Sequence, residues 1–285
     1  MKEIYMTFYN YGMGAMSGQL TFEDQVAKAK EMGFDGAEIF APFTDETVAI
    51  LEKYGMKTME ARAKWGDNGE LMYIDQMQKC GIKYISGAEG YYDRESALRT
   101  AEELNELGRK LKPYGFKADS HNHTGEFLFN EQDGEYLWET VAKNTDPDLV
   151  CFKMDIGWST IAGIDSSYLI AKYPGRTELI HIKPATAILG PEAMNMGAQQ
   201  RRPRPAPGKN PMDDPEMKKM MERMQEINRK SQGKMCDFVR DLREILVTAE
   251  KYGAKSFILE RDGFYMEDRI AVMTEDLAYL REIWN

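Results

Sequence analysis

Three cysteines, Cys80, Cys151 and Cys236, are all this chain has, and they lie far apart. An odd number outside any Cys-x-x-Cys spacing excludes a disulfide framework and a thiolate zinc site, which leaves packed thiols. Histidine is as scarce, with three copies, so a site built on many imidazoles is excluded too. No apolar run approaches the ~20 residues of a membrane-spanning helix, and no leader-like apolar stretch follows the first residues. The expectation is a cytoplasmic protein without membrane contact. Positive charge is also in deficit, with a net charge of −10 and a pI near 5.1. Such a surface repels a phosphate backbone, so nucleic acid is not an expected partner. No Gly-x-Gly-x-x-Gly follows an early strand, which argues against a doubly wound dinucleotide fold.

What is present is a regular alternation. Short apolar runs at 4–9, 36–40, 57–63, 83–87, 116–121, 150–157, 179–183 and 255–260 read as strands. Between them lie helical patterns at 21–33, 44–55, 71–80, 93–112, 135–144, 166–172, 237–252 and 273–284. Thr21 and Thr44 stand where N-caps belong, and Gly33 and Gly55 where those helices stop. The longest helix carries Ala97, Leu98, Ala101, Leu104 and Leu107 at helical spacing. Eight strands, each followed by a helix, predict a single (β/α)8 TIM barrel, an α/β fold for which 285 residues is an ordinary length.

The rhythm breaks once, after strand seven. Residues 184–234 hold 7 of the 11 prolines and 7 of the 20 methionines, with ten Lys or Arg against six Asp or Glu. Pro215 opens a helix in which Met217, Met220, Met221, Met224 and Ile227 share one face. This insertion either packs on its own barrel, closes over the mouth as a lid, or meets a partner: a second copy or a companion subunit. Arg201, Arg202 and Arg204 hold an anionic group or sit in solvent.

A barrel of this kind keeps its chemistry at the C-terminal ends of its strands. There, strands five to eight supply His121, His123 and Glu126, then Asp155, then His181 with Lys183, then Glu260 with Asp262. Carboxylates and an imidazole converging on one mouth suit a divalent ion of the Mn, Co, Mg or Zn kind. Glu38, Glu60 and Glu89 also lie at or near strand ends, and their expected work is ion pairing or a substrate rim. Trp158 stacks on a sugar face or packs under a loop. Tyr5, Tyr9 and Tyr11 line the mouth or pack.

Asp35-Gly36-Ala37-Glu38-Ile39, His121-Asn122-His123 with Glu126-Phe127, Asp155-Ile156-Gly157-Trp158, His181-Ile182-Lys183 and Leu259-Glu260-Arg261-Asp262 resemble the xylose isomerase-like barrels, in particular sugar isomerase/epimerases related to inosose dehydratase. The resemblance covers residues 1 to about 183 and 235–285. It implies an ion, Mn2+ foremost, held by Glu126, Asp155, His181 and Glu260, with His121 and His123 as alternatives for the strand-five ligand. Two features depart from the family: Pro184 follows Lys183 where Asp is usual, and the insertion replaces a Gly-rich return.

The activity implied is proton abstraction next to a carbonyl of a sugar or keto sugar, as in an isomerase or epimerase. A lyase of the inosose dehydratase or C-glycoside-cleaving kind shares that first step, and a metal-free binding barrel is the non-catalytic alternative. His123 is the expected base, because it points into the mouth two residues after His121 and titrates near neutrality. Glu260 and Lys183 are further catalytic candidates, and His121, Trp158, Glu89 and Asp262 are candidate substrate contacts.

Overall fold

The computed structural model describes residues 2–11, 20–88, 90–199, 215–262 and 268–284. In it the apolar runs become the strands β1 (Tyr5–Thr7), β2 (Gly36–Glu38), β3 (Glu60–Ala61), β4 (Tyr84–Ser86), β5 (Lys117–His121), β6 (Val150–Asp155), β7 (Thr177–Ile182) and β8 (Ser256–Leu259). They form one parallel sheet in the order β2-β1-β8-β7-β6-β5-β4-β3. A parallel bridge between Gly36 and Lys57, just ahead of β3, draws the two edges together and makes a nearly closed barrel.

Local chemistry sets the boundaries. Thr21 caps α1 (Phe22–Met32) in a reciprocal box with Asp24, and Gly33 ends it at φ 96°. Thr44 caps α2 (Asp45–Tyr54), which stops at Gly55. α3 (Ile74–Lys79) and α4 (Arg94–Leu111) follow, and α4 buries Ala97, Ala101, Leu104 and Leu111. Gly108 lets α4 approach the sheet, because a Cβ there would stand 2.7 Å from the Leu149 carbonyl oxygen. After α5 (Leu137–Asn144), β6 ends two residues earlier than the sequence pattern suggests. The reason is Asp155, whose carboxylate accepts the Trp158 N–H at 2.8 Å and so caps α6 (Ile156–Ile161).

The barrel interior is charged as well as apolar. Lys153, on β6, lies 2.6 Å from Glu38, 2.7 Å from Glu60 and 3.9 Å from Asp119, all four buried. Burying these charges is tolerable only because they pair. Burial opposes ionisation of Glu38, yet Lys153 and His181 hold it well below the usual carboxylate range. Burial opposes the Lys153 ammonium as well, and its acids keep that group charged. Glu60 gives way, pushed by burial and by Asp119 up to about 8.

α7 (Ser166–Lys172) precedes β7, and the insertion then contributes α8 (Pro191–Gln199) and α9 (Pro215–Ser231) before α10 (Leu242–Lys251) and α11 (Arg269–Ile283) complete the chain. The described part of the insertion packs on its own barrel. Ala193, Met196 and Ile227 share a buried cluster with Trp158, Ile161 and Ala185, with Met224 against it. Thr124 donates to the Ala193 carbonyl at 2.8 Å, and Arg261 to that of Gly233 at 2.7 Å. The side chains of Met217, Met220 and Met221, and the whole of Arg201, Arg202 and Arg204, lie outside the described residues. Among the described residues no helix is long and apolar enough to cross a membrane. All three cysteines are free.

Candidate active site

Four strand ends converge at the C-terminal mouth. His121 closes β5, Asp155 closes β6, His181 lies on β7 and Glu260 follows β8; one donor atom from each lies within 4.8 Å of the others. Two asparagines pin these ends in register. Asn122 accepts the Asp155 N–H at 3.0 Å and donates to its carbonyl at 3.3 Å, locking β5 to β6. Asn10 donates to the Leu259 carbonyl at 2.9 Å and accepts the Arg261 N–H at 2.7 Å, bracketing Glu260.

Within the group, His121 Nε2 lies 3.5 Å from Asp155 Oδ2, and His181 Nδ1 contacts Glu260. The other nitrogen of His181 faces Glu38 at 3.3 Å. Burial alone would drive the His181 imidazole neutral, but Glu260 and Glu38 reverse this and raise its pKa. Burial likewise opposes ionisation of Glu260 and Asp155, yet Lys183, with His181 and His121 respectively, holds both below the ordinary carboxylate value. Lys183 is the common cation, 3.1 Å from Asp155, 2.7 Å from Asp262 and 4.5 Å from the Trp158 ring centre. It stays protonated, because these acids outweigh its burial.

The donor set fits a divalent ion. Two imidazoles and two carboxylates are of the borderline and hard type that such ions take. Asp155 Oδ2, Glu260 Oε2 and His181 Nδ1 are buried and make no well-formed hydrogen bond, although their contacts are close. Buried oxygen and nitrogen atoms left this way are costly unless a further partner satisfies them.

His121 stands in this group, and Glu126 does not. Glu126 lies in a short turn, Gly125–Phe127, past the end of β5, where its carboxylate accepts the His123 N–H at 3.0 Å. His123 is the more exposed of the pair and lines the cavity, its ring edge-on to His121 with centroids 4.8 Å apart. Trp158 and Asp262 line the cavity, and Lys183 sits behind them, 1% exposed. Glu89 lies outside the described residues. Of the tyrosines, Tyr9 lines the mouth, while Tyr11 is buried and donates to the Gln25 carbonyl at 2.7 Å.

The cavity over this group encloses about 630 Å³. Its walls include Met224, from the insertion's methionine face, and residues that sequence reasoning passed over: Lys153, Phe40, Trp65, Met196 and Asn228. Lys153 had a signal, since it stands two residues before Asp155 and therefore on the same face of β6. Of the two pinning asparagines, Asn122 had its place in the His121-Asn122-His123 motif and Asn10 had no signal beyond following β1.

The chain matches no established family model. A xylose isomerase domain protein from Alicyclobacillus acidocaldarius superposes with a TM-score of 0.60 at 11% identity, over 99% of this chain and 98% of that one. A sugar phosphate isomerase/epimerase from Parabacteroides distasonis gives a TM-score of 0.65 at 17% identity, over 98% and 93%. The fold is therefore that of the xylose isomerase-like barrels. By sequence, the chain is similar to inosose dehydratase 2 of Bacillus cereus, 22% identical over 203 residues, which cover 61% of this chain and 67% of that protein.

Proposed function

We propose that the protein is a metal-dependent sugar isomerase or epimerase that removes a proton from the carbon beside a carbonyl of a sugar or keto sugar. The observation that carries this reading is the convergence of His121, Asp155, His181 and Glu260 within 4.8 Å on a cavity that His123 also lines. A divalent ion, Mn2+ first among the candidates, bound by those four would supply a Lewis acid for the substrate's oxygens.

The chain's own groups do the rest. His123 accepts the carbon-bound proton and, in an isomerisation, returns it to the neighbouring carbon on the same face; in an epimerisation a second acid, Glu260, delivers a proton to the opposite face. Lys183, always charged, adds positive potential beside Asp155 and Glu260, where negative charge develops on the substrate. Trp158 forms one side of the sugar's seat. The inosose dehydratase relatives favour a second reading, in which the same proton loss is followed by expulsion of a β-group.

Incubation with a sugar panel in deuterated water tests both, since deuterium entering one carbon reports proton abstraction whatever the product. Exchange without elimination supports the isomerase, and elimination supports the lyase. No exchange across the panel would return the protein to the non-catalytic binding reading. For the ion, His181→Ala and Asp155→Ala should each lose bound metal and thermal stability together, because the ion binds only the folded site. Full metal content in both variants would overturn that assignment.

A further inference from the structure

The cavity is larger than the proposed chemistry requires. At about 630 Å³ it falls among pockets that hold drug-sized ligands, roughly 300–1,000 Å³, whereas a single sugar ring would fill only its floor. The floor is polar, made by Glu38, Asp119, His121, Lys153, His181 and Glu260. The outer walls differ in character.

On one side stand Phe40, just past β2, and Trp65, beyond β3, both cavity-lining and both 39% exposed. Trp65 is held there by a small hairpin: it bridges Leu71, Gly66 N–H donates to the Glu70 carbonyl at 2.9 Å, and Met72 N–H to that of Lys64 at 2.9 Å. The Arg62 guanidinium lies 4.6 Å over the Phe40 ring. The other side belongs to the insertion, which supplies Met196 and Met224. The insertion follows β7, which is three strands from β2 and four from β3 around the barrel, so the two walls face each other across the mouth.

We propose that these walls form an outer subsite for a flat apolar ring, and that the substrate class is an uncharged aryl glycoside whose sugar occupies the floor. This rests on the reading above that a sugar binds over the four donors. Indole and phenyl faces stack on flat rings. Thioethers prefer aromatic neighbours, which favours an aryl group over a second sugar between these walls. The outer walls offer little seat for a phosphate: among the described lining residues the Lys or Arg above the floor is Arg62, and its guanidinium lies over the Phe40 ring.

Titration calorimetry on the metal-loaded protein tests it with paired p-nitrophenyl and methyl glycosides of glucose, galactose, mannose and xylose, together with cellobiose and glucose 6-phosphate. The expected result is an aryl member binding about 5- to 10-fold tighter than its methyl partner in at least one pair. Trp65→Ala should erase that difference while leaving methyl glycoside affinity and melting temperature unchanged. No aryl preference in any pair, tightest binding of cellobiose or glucose 6-phosphate, or a preference that survives both Trp65→Ala and Phe40→Ala overturns the proposal. Binding needs no turnover, so the two readings fail separately. Aryl preference without proton exchange would remove the catalytic reading alone, and exchange on free sugars without aryl preference would remove this one alone.

Discussion

His123 Nδ1 lies 4.0 Å from Glu126 Oε1, while the other oxygen of that carboxylate accepts the His123 backbone N–H at 3.0 Å. A buried acid thus lies behind a cavity-lining imidazole, beyond hydrogen-bond reach of the ring but near enough to attract it once it takes up a proton. This placement also explains why Glu126 is withheld from the four-donor group.

The pair should therefore be separable from the ion by mutation. His123→Gln is expected to keep bound metal while losing solvent proton exchange by about 100-fold or more. Glu126→Gln should keep metal too, with a smaller loss and an altered pH profile, as befits a positioning residue. Exchange at the parent rate in His123→Gln would move the role of base to Glu260.

Lys153 carries a stability prediction. Replacing it with Met leaves Glu38, Glu60 and Asp119 facing one another in the barrel interior without their cation. Removing one partner of a buried ion pair costs about 3–5 kcal/mol, and some of that will be relieved as a carboxyl takes up a proton. Urea unfolding at pH 7 and pH 5 should show a large loss at neutrality that shrinks in acid. A midpoint equal to that of the parent at pH 7 would mean the network is dispensable.

At the opposite end of the barrel, Glu178 binds Lys117 at 2.7 Å, Tyr84 at 2.9 Å and Lys255. Burial pushes its carboxyl up, but these donors more than compensate and leave its pKa below the usual 4.5. A lowered folded-state value means the native protein holds the proton less tightly than the unfolded chain. Its contribution is therefore complete above pH 4.5 and is lost as pH falls below that through the folded value. Glu178→Gln should cost about 1–3 kcal/mol at pH 7 and flatten the acid side of the stability curve. An unchanged acid limb would show that other groups set it. Activity should survive, because this end of the barrel is remote from the mouth.

The barrel was legible because its signals are local. Thr21, Gly33, Thr44 and Gly55 mark helix ends through hydrogen bonds made within a few residues, and apolar runs mark strands buried on both faces. Where a boundary depended on one side chain doing two jobs, the pattern ran long. Asp155 stops β6 by capping α6 and also joins the donor group, and nothing in an apolar run announces that.

The sequence by itself determined the fold class and the strand ends that bring Asp155, His181 and Glu260 together, because strand order along the chain becomes order around a barrel. Asp155, His181 and Glu260 needed no more than that. Which residue β5 contributes was a matter of tertiary structure alone. His121, His123 and Glu126 are all within reach by spacing, and the short turn at Gly125–Phe127, held by the Thr124 contact to α8, decides that His121 faces the group and Glu126 faces His123. The same holds for the insertion. Its methionines announced an apolar face, but a face has no partner until the chain folds back, and only packing against Trp158 and Ile161 places Met196 and Met224 over the mouth.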